Sequence, residues 1–567
     1  MKRKLLRGIL MAISAVLVMV GISAAATTPE GWGNPVDPNL VRPQAPQAWD
    51  RPLAELMAAE AVYPSMADAN PLAPNCRIGI NAWGSQLRDF NLVENFGTGV
   101  YFNYIASATP NAMAGAEHIG LVMVEQLRPG EPVKPIDEPR ICDGTYTEYV
   151  FRPPLQDGPG KFGDLVRQNP GKLWFLGNEP DRRADDNSDV CPQQYADAYH
   201  DFYHFVKAID PTAQVGVAGL VQVSPGRLQY RDIVWDTYLA NYGTPMPVDV
   251  WNIHIYLLSE TSNGDAHIAV GTDPALRIPF SHQCGIPGTI CSANHDNVQL
   301  FAEQIIAMRR WMNDRGQRNK PLVLSEFGIN LPYNYGGTCT DTVCPANPAP
   351  DYPCYCDTNG KTFHPERVAN YLRATMDYML NAKSASLGYP ADDNRLVQQW
   401  IWFSAETSGP GSASNLIRST NSSYVLTPQG QALREFASAI PLKVNLRPTV
   451  TWAPSRASAD GTAPVTGKLY AEIRNNGTQA LNAPFQVTFY ANVSQTAVIG
   501  SVTVPGLGGC ARTGVTVEVE WPDRPTGVHS YWVAVDPANS TPGENVIRGS
   551  FMANPSGTLY LPLTRRR

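Results

Sequence analysis

At 567 residues the chain exceeds what one ordinary hydrophobic core organises, so two or more domains are expected. Charged residues make up only 17% and the formal net charge is −7, with basic clusters confined to the two termini, which excludes a nucleic-acid-binding surface. A hydrophobic content of 43%, with 49 Pro and 46 Gly, describes a folded chain with many turns between its elements.

Residues 1–26 read as a secretory signal peptide. Lys2, Arg3, Lys4 and Arg7 precede the apolar run Gly8–Ile22, and Ser23-Ala24-Ala25-Ala26 offers small residues for cleavage. An uncleaved anchor is the alternative. The expected location is therefore secreted or extracellular, and ten Cys fit an oxidising compartment. Residues 27–75 form a Pro-rich segment with little pattern.

From 76 to 440, short apolar runs alternate with helical patterns. The runs are Arg77–Trp83, Gly99–Ala106, Gly120–Leu127, Lys172–Gly177, Gln214–Leu220, Val248–Leu257, Pro321–Phe327 and Leu396–Phe403. Several are apolar nearly throughout, as strands buried on both faces must be. Helices are predicted over Gln193–Ile209, stopped by Asp210-Pro211, over Asn297–Arg315 and over Pro365–Leu380. The units after the first two strands are weakly written. Strand and helix alternating eight times give the order of an α/β fold, a (β/α)8 TIM barrel. A doubly wound open sheet is the competing arrangement.

Residues 444–556 change character. Alternating strands such as Lys468–Arg474, Phe485–Ala491, Val515–Trp521 and Ser530–Val535 follow one another without a helix, which predicts an all-β, immunoglobulin-like sandwich. The tail 557–567 ends in an apolar patch and three Arg, either a sorting signal or a last strand. Loop-stapling disulfides account best for Cys142, Cys191, Cys284, Cys291, Cys339, Cys344, Cys354 and Cys356. Cys510 stands alone in the C-terminal domain, where a free thiol and a cross-domain bridge both remain open.

Two carboxyls sit where an apolar strand gives way to a loop. The fourth strand runs into Asn178-Glu179-Pro180-Asp181 and the seventh into Glu326-Phe327-Gly328. Strands four and seven face one another across a closed barrel, and functional residues gather at the C-terminal strand ends. Two facing carboxyls, one protonated and one ionised, can hydrolyse a glycosidic bond. On the sixth strand His254 and Tyr256 share parity, as do Trp400 and Trp402 on the eighth. Trp83 at the end of the first strand is a further candidate for sugar contact. Glu125 is a third barrel carboxyl, and Glu406 lies beyond the eighth strand. No phosphate-cradling Gly motif, His-Glu-x-x-His or Gly-x-Ser-x-Gly is present, so neither cofactor nor metal is expected.

The segments Leu176-Gly-Asn-Glu-Pro180 and Leu324-Ser-Glu-Phe-Gly328 resemble clan A glycoside hydrolases, and Asn-Glu-Pro-Asp resembles the catalytic-core group that includes β-1,3-glucanases. The resemblance implies a retaining mechanism with Glu179 as acid/base and Glu326 as nucleophile. It further implies Asn178 on the sugar 2-hydroxyl, His254 or Tyr256 bonded to the nucleophile or sugar, and Trp402 as a sugar platform. The segments Ala471-Glu-Ile-Arg-Asn-Asn-Gly477 and Trp532-Val-Ala-Val-Asp536, with Glu544-Asn545 after them, resemble a bacterial cell-adhesion-related (CARDB-like) sandwich. Such modules act as spacers or bind a cell surface or cell wall. The function expected is a secreted retaining hydrolase of a β-linked polysaccharide or oligosaccharide. An exo-acting glycosidase and a non-catalytic carbohydrate-binding or adhesion protein are the alternatives.

Overall fold

A computed structural model of the chain describes residues 71–107, 115–131, 142–182, 188–260, 268–279, 286–290, 294–330, 365–408, 411–420 and 423–555. The expected leader 1–26, most of 27–75, the tail 557–567 and Cys284, Cys291, Cys339, Cys344, Cys354 and Cys356 lie outside these residues.

The first strands are β1 (Asn75–Asn81), β2 (Thr98–Phe102) and β3 (Glu117–Leu127), the last with an antiparallel partner, β4 (Glu148–Arg152). They are followed by β5 (Leu173–Leu176), β6 (Gln214–Val217), β7 (Trp251–Ile255), β8 (Leu322–Phe327) and β9 (Gln399–Trp402). Leaving β4 aside, these eight strands match the eight apolar runs of the sequence. They are parallel neighbours in the order β6-β5-β3-β2-β1-β9-β8-β7, and a parallel bridge from Gly216 to Val250 joins the two ends. The sheet therefore closes into a barrel, which an open doubly wound sheet does not. Val100, Phe102, Ile119, Leu121, Leu173, Phe175, Val250, Val323 and Ile401 fill its interior.

Helices cover the outside: α1 (Ser85–Asp89), α2 (Leu92–Phe96), α3 (Phe162–Gln168), α4 (Pro192–Ile209), α5 (Pro225–Tyr242), α6 (Val298–Asp314), α7 (Pro365–Asn381) and α8 (Pro428–Ala439). Their ends are set locally. Pro occupies the first turn of α4 and α5, where its missing N–H is no loss. The Asn297 side chain caps α6 by accepting from the amides of Gln299 and Leu300 at 2.9 and 3.0 Å. The weakly written units turn out short: α1 and α2, of five residues each, both lie between β1 and β2, and among the described residues no helix lies between β2 and β3.

Beyond α8 the chain forms two antiparallel sheets. One holds β12 (Leu446–Trp452), β13 (Val465–Asn475) and β16 (Gly514–Arg524). The other holds β14 (Phe485–Tyr490), β15 (Val498–Val504), β17 (Gly527–Val535) and β18 (Val546–Ala553). Alternation is strict along β13, where Leu469, Ala471 and Ile473 are buried while Tyr470, Glu472 and Arg474 face outward. Between β9 and α8 runs a small hairpin, β10 (Ile417–Ser419) with β11 (Tyr424–Leu426).

The sandwich is fastened to the base of the barrel, where the strands begin. A disulfide joins Cys76 of β1 to Cys510, so the open question about Cys510 resolves as a cross-domain bridge. The second described disulfide, Cys142–Cys191, staples a loop to the start of α4. Beside the first, buried Arg77 grips Asp392 with two hydrogen bonds of 2.8 and 2.7 Å and donates to the Asn476 carbonyl in the sandwich at 3.1 Å. Arg512 reaches from the sandwich to Gln214 and Glu117.

A covalent tie across 434 residues restricts the unfolded chain strongly, a contribution of about 2–4 kcal/mol for a typical disulfide. Cys510→Ser is therefore expected to lower the unfolding free energy of the sandwich by about that amount, read as a lower chemical-denaturation midpoint in tryptophan fluorescence. An unchanged midpoint contradicts a stabilising role for the bridge.

Candidate active site

At the opposite end of the barrel, where the strands finish, Glu179 and Glu326 converge. Glu179 follows β5 and is held with φ of 41°, a left-handed conformation uncommon for a residue with a long side chain. Its amide donates to the Gly219 carbonyl at 3.1 Å, which fixes the turn. Asn178, just before it, is half-buried, and its backbone exchanges hydrogen bonds with Ser188 at 3.0 and 2.9 Å.

Glu326 arrives by a different device. Val323 faces the barrel interior, so simple alternation points residue 326 outward. The pairing steps from Ile253–Leu324 to His254–Glu326, leaving Ser325 as an extra residue in β8. This bulge turns Glu326 inward, a common use of bulges near active sites. Ser325 also faces inward, and its hydroxyl lies 3.0 Å from His254 Nε2.

His254 is the link between the two acids. Its Nδ1 is 3.1 Å from Glu179 Oε1, and its Nε2 is 3.5 Å from Glu326 Oε1. The ring is fully buried and lies so close to Gly219 that a Cβ there would stand 2.1 Å from it. Arg182 donates to Glu179 Oε2 at 3.2 Å, and the Tyr256 phenol donates to Glu326 Oε2 at 3.0 Å. Tyr104 sits beside the same carboxylate. Glu326 Oε1 has no hydrogen-bond donor among the described residues. One ligand atom from each of Glu179, His254 and Glu326 falls within 4.8 Å of the others, so the two carboxyls are close neighbours. The same trio is the described group best spaced to hold a metal ion, although both imidazole nitrogens already have hydrogen-bond partners.

The electrostatics separate the two acids. Burial alone raises both carboxyls. For Glu179 this is overcome by the hydrogen bond and charge of His254 and by Arg182, so its carboxyl lies below the ordinary value. For Glu326 burial prevails, aided by repulsion from Glu179 and opposed by His254 and the two phenols, and its carboxyl is pushed up to about 7. His254 loses basicity to burial but gains more from Glu326 and Glu179, so the imidazole lies above its usual value.

Beneath Glu179 a buried ionic network joins three segments. Arg227 of α5 pairs with Asp181 and donates through Nε to Glu260 at 3.0 Å. Glu260 also accepts from the Ile278 amide at 3.2 Å. Such a fully buried triad ties the loops after β5 and β7 to one helix, and losing one partner would strand the other charges.

Of the residues singled out in the sequence, Glu179, Glu326, His254 and Tyr256 come together, with Asn178 adjoining. Trp83 joins an aromatic wall, 6.3 Å from Tyr104 and 6.1 Å from Phe403, and Phe403 is 6.2 Å from Tyr256. Trp402 does not reach this wall. It is fully buried outside the barrel interior, its indole N–H donating to the Ser414 carbonyl at 2.7 Å and its ring 5.1 Å from Phe327. Parity explains the displacement: Ile401 faces in, so Trp400 and Trp402 face out and Phe403 takes the inward place. Glu125 is outside the site, paired with Arg152 at 2.9 Å, and Glu406 accepts from the Ser419 amide at 2.6 Å. Sequence reasoning missed Arg182, Tyr104, Phe403, Gly219, Ser325 and the Arg227 network. Only the position of Phe403, one beyond an apolar strand end, gave a usable signal.

Comparison with known proteins bears on the C-terminal part. Residues 445–545 match the CARDB family. A solved CARDB domain from Pyrococcus furiosus aligns with 20% of this chain and 97% of its own, at 15% identity and a TM-score of 0.17. Over the longer span, a glucosidase from Croceicoccus marinus covers 80% of this chain and 94% of its own, at 12% identity and a TM-score of 0.33. A family 51 α-L-arabinofuranosidase from Bifidobacterium longum covers 80% and 97%, at 11% identity and a TM-score of 0.35. No curated protein matches the chain. The CARDB sandwich is thus the region identified from sequence, and the barrel site stands on its own geometry.

The raised carboxyl of Glu326 has a sign that can be checked. A carboxyl whose value rises on folding binds its proton more tightly when folded, so its contribution is present below the unfolded value, 4.5, and is lost as pH climbs through about 7. Glu326→Gln removes that loss. The variant is expected to be more stable than the parent by about 1–3 kcal/mol at pH 8 and equal to it near pH 4, in paired thermal melts. A constant difference across that range contradicts the assignment.

Proposed function

We propose that the protein is an exported retaining glycoside hydrolase acting on a β-linked polysaccharide or oligosaccharide. The observation that carries this reading is the pair of buried carboxyls, Glu179 and Glu326, with oxygens within 4.8 Å across the mouth of the barrel. A separation of about 5–5.5 Å suits double displacement, whereas inversion needs about 6.5–9.5 Å to admit a water. The β-linkage rests on the resemblance of the two Glu motifs to clan A. Export rests on residues 1–26 and accords with the two described disulfides.

In the first step Glu326 Oε1, the oxygen without a donor, attacks the anomeric carbon. Glu179 gives its proton to the glycosidic oxygen as the bond to the leaving sugar breaks, leaving a glycosyl ester on Glu326. In the second, Glu179 takes a proton from water, the water oxygen attacks the anomeric carbon, and the Glu326 carboxylate departs. Tyr256 steadies the carboxylate form of Glu326 before attack and after release. Trp83 and Phe403 have apolar faces that suit the C–H face of a sugar ring, and the resemblance gives Asn178 the sugar 2-hydroxyl as its partner.

The resting charges need one adjustment. At neutral pH the free site favours an ionised Glu179 paired with a protonated His254, whereas the reaction needs the proton on Glu179. Transfer from His254 Nδ1 to Glu179 Oε1 along the 3.1 Å contact supplies it without changing the charge of the site. His254 thereby keeps a proton within reach of the acid.

Two outcomes follow in steady-state kinetics on β-glucan, mannan, xylan and arabinan. Glu179→Ala and Glu326→Ala each lower kcat at least about 10²–10⁴-fold while circular dichroism is unchanged. In the parent, kcat/KM rises as pH climbs through about 7, where Glu326 ionises, and falls where the His254–Glu179 proton is lost. Parent-like hydrolysis by Glu326→Ala overturns the proposal.

A further inference from the structure

A second cleft lies at the base of the barrel, between the strand starts and the outer face of the sandwich. It encloses about 490 Å³, within the range of about 300–1,000 Å³ common for ligand sites. Lys320, just before β8, lines it, and Glu326 lies near the far end of that same strand. At about 3.3 Å per residue the two are some 20 Å apart, so whatever occupies the cleft cannot touch the catalytic acids.

The cleft is cationic. Lys320, Arg447, Arg474 and Arg512 line it against the carboxylates of Asp249 and Glu472. Asp249 is taken by Lys207 at 2.8 Å and Glu472 by Arg474 at 2.6 Å, while Arg512 is held by Glu117. Arg447 stands 3.9 Å from Glu544. Lys320 has no ion pair among the described residues, and burial pulls its ammonium below the ordinary value. The Nε atoms of Arg447 and Arg474 are buried without a hydrogen-bond partner. Arg474 is engaged further, donating through Nη1 to the Ala511 and Arg512 carbonyls at 2.8 and 3.3 Å, so Lys320 and Arg447 are the cations left for an anionic acceptor.

The face continues past the charges. Val450 and Glu472 line the cleft, and two residues along the same strands stand Trp452 and Tyr470, paired across β12 and β13. Their rings stack at 5.3 Å and 9°, and Trp452 remains 41% exposed. Lys468 and Glu518, joined at 2.9 Å, flank the stack. An exposed aromatic pair beside fixed polar groups suits a sugar ring, and the neighbouring cations suit a carboxylate carried on it.

We propose that this cleft is a second, non-catalytic binding site for an acidic glycan, with uronate carboxylates held by Lys320 and Arg447 and a sugar ring against Trp452. The test is calorimetric titration of the Glu326→Ala protein with an oligogalacturonate, a neutral cello-oligosaccharide of equal length, and inorganic phosphate. The oligogalacturonate should bind at one site, more weakly as salt is raised, and at least tenfold more weakly in Lys320→Gln and in Lys320→Gln/Arg447→Gln. Trp83→Ala, in the catalytic mouth, should leave that binding unchanged. Lys320→Gln alone suffices should the double variant not fold, because Lys320 has no described ion pair. Absence of binding overturns the proposal, as does affinity indifferent to Lys320→Gln or lost in Trp83→Ala. Equal affinity for the neutral sugar, or displacement by phosphate at matching concentration, also overturns it. Hydrolysis plays no part in the readout, so failure here leaves the catalytic reading untouched.

Discussion

Two carboxyl groups buried within 4.8 Å of each other are the constraint from which the rest of the site follows. At an effective dielectric near 20 their mutual repulsion is about 3–4 kcal/mol when both are ionised, before any cost of burial. The barrel mouth offsets this with His254 between them, Arg182 on one acid and Tyr256 on the other. Each of those contacts in turn demands something of the backbone. His254 needs the missing side chain of Gly219, Glu326 needs the extra residue Ser325 in β8, and Glu179 needs a left-handed turn.

These demands are met by contacts around the site. The Asp181–Arg227–Glu260 network holds the turn after β5 against α5 and the segment after β7, so the unusual backbone at Glu179 is fixed from outside. At the far end, Cys76–Cys510, Arg77 and Arg512 fasten the CARDB sandwich to the strand starts. The candidate site and the attachment therefore occupy opposite ends of one barrel. That division leaves the base, with its cationic cleft, clear of the mouth.

Much of the fold was legible because burial imposes a pattern on sequence. All eight parallel strands announce themselves as apolar runs, since strands covered on both faces have no polar side to alternate. The sandwich strands announce themselves by strict alternation, as in Leu469, Ala471 and Ile473. Glu179 and Glu326 stood out as a pair, because each ends an apolar strand in a motif of its own and strands four and seven face each other in a closed barrel. What could not be read was which way residues point once alternation breaks. The bulge at Ser325 has no signature in Leu324-Ser-Glu-Phe, and the resemblance assigned to Trp402 the inward place that Phe403 takes. Arg182 and the Arg227 network were invisible because partners distant in sequence define them. The pairing of Cys510 was open for the same reason.

The proposed mechanism turns on Glu326 forming a bond to the sugar. The most direct measurement is mass spectrometry after incubation with an activated 2-deoxy-2-fluoro glycoside, which slows release of a glycosyl-enzyme. One sugar should be found per protein, located by peptide mapping on Glu326. A label on Glu179 or elsewhere, or turnover with inverted anomeric configuration and no labelled protein, would contradict it.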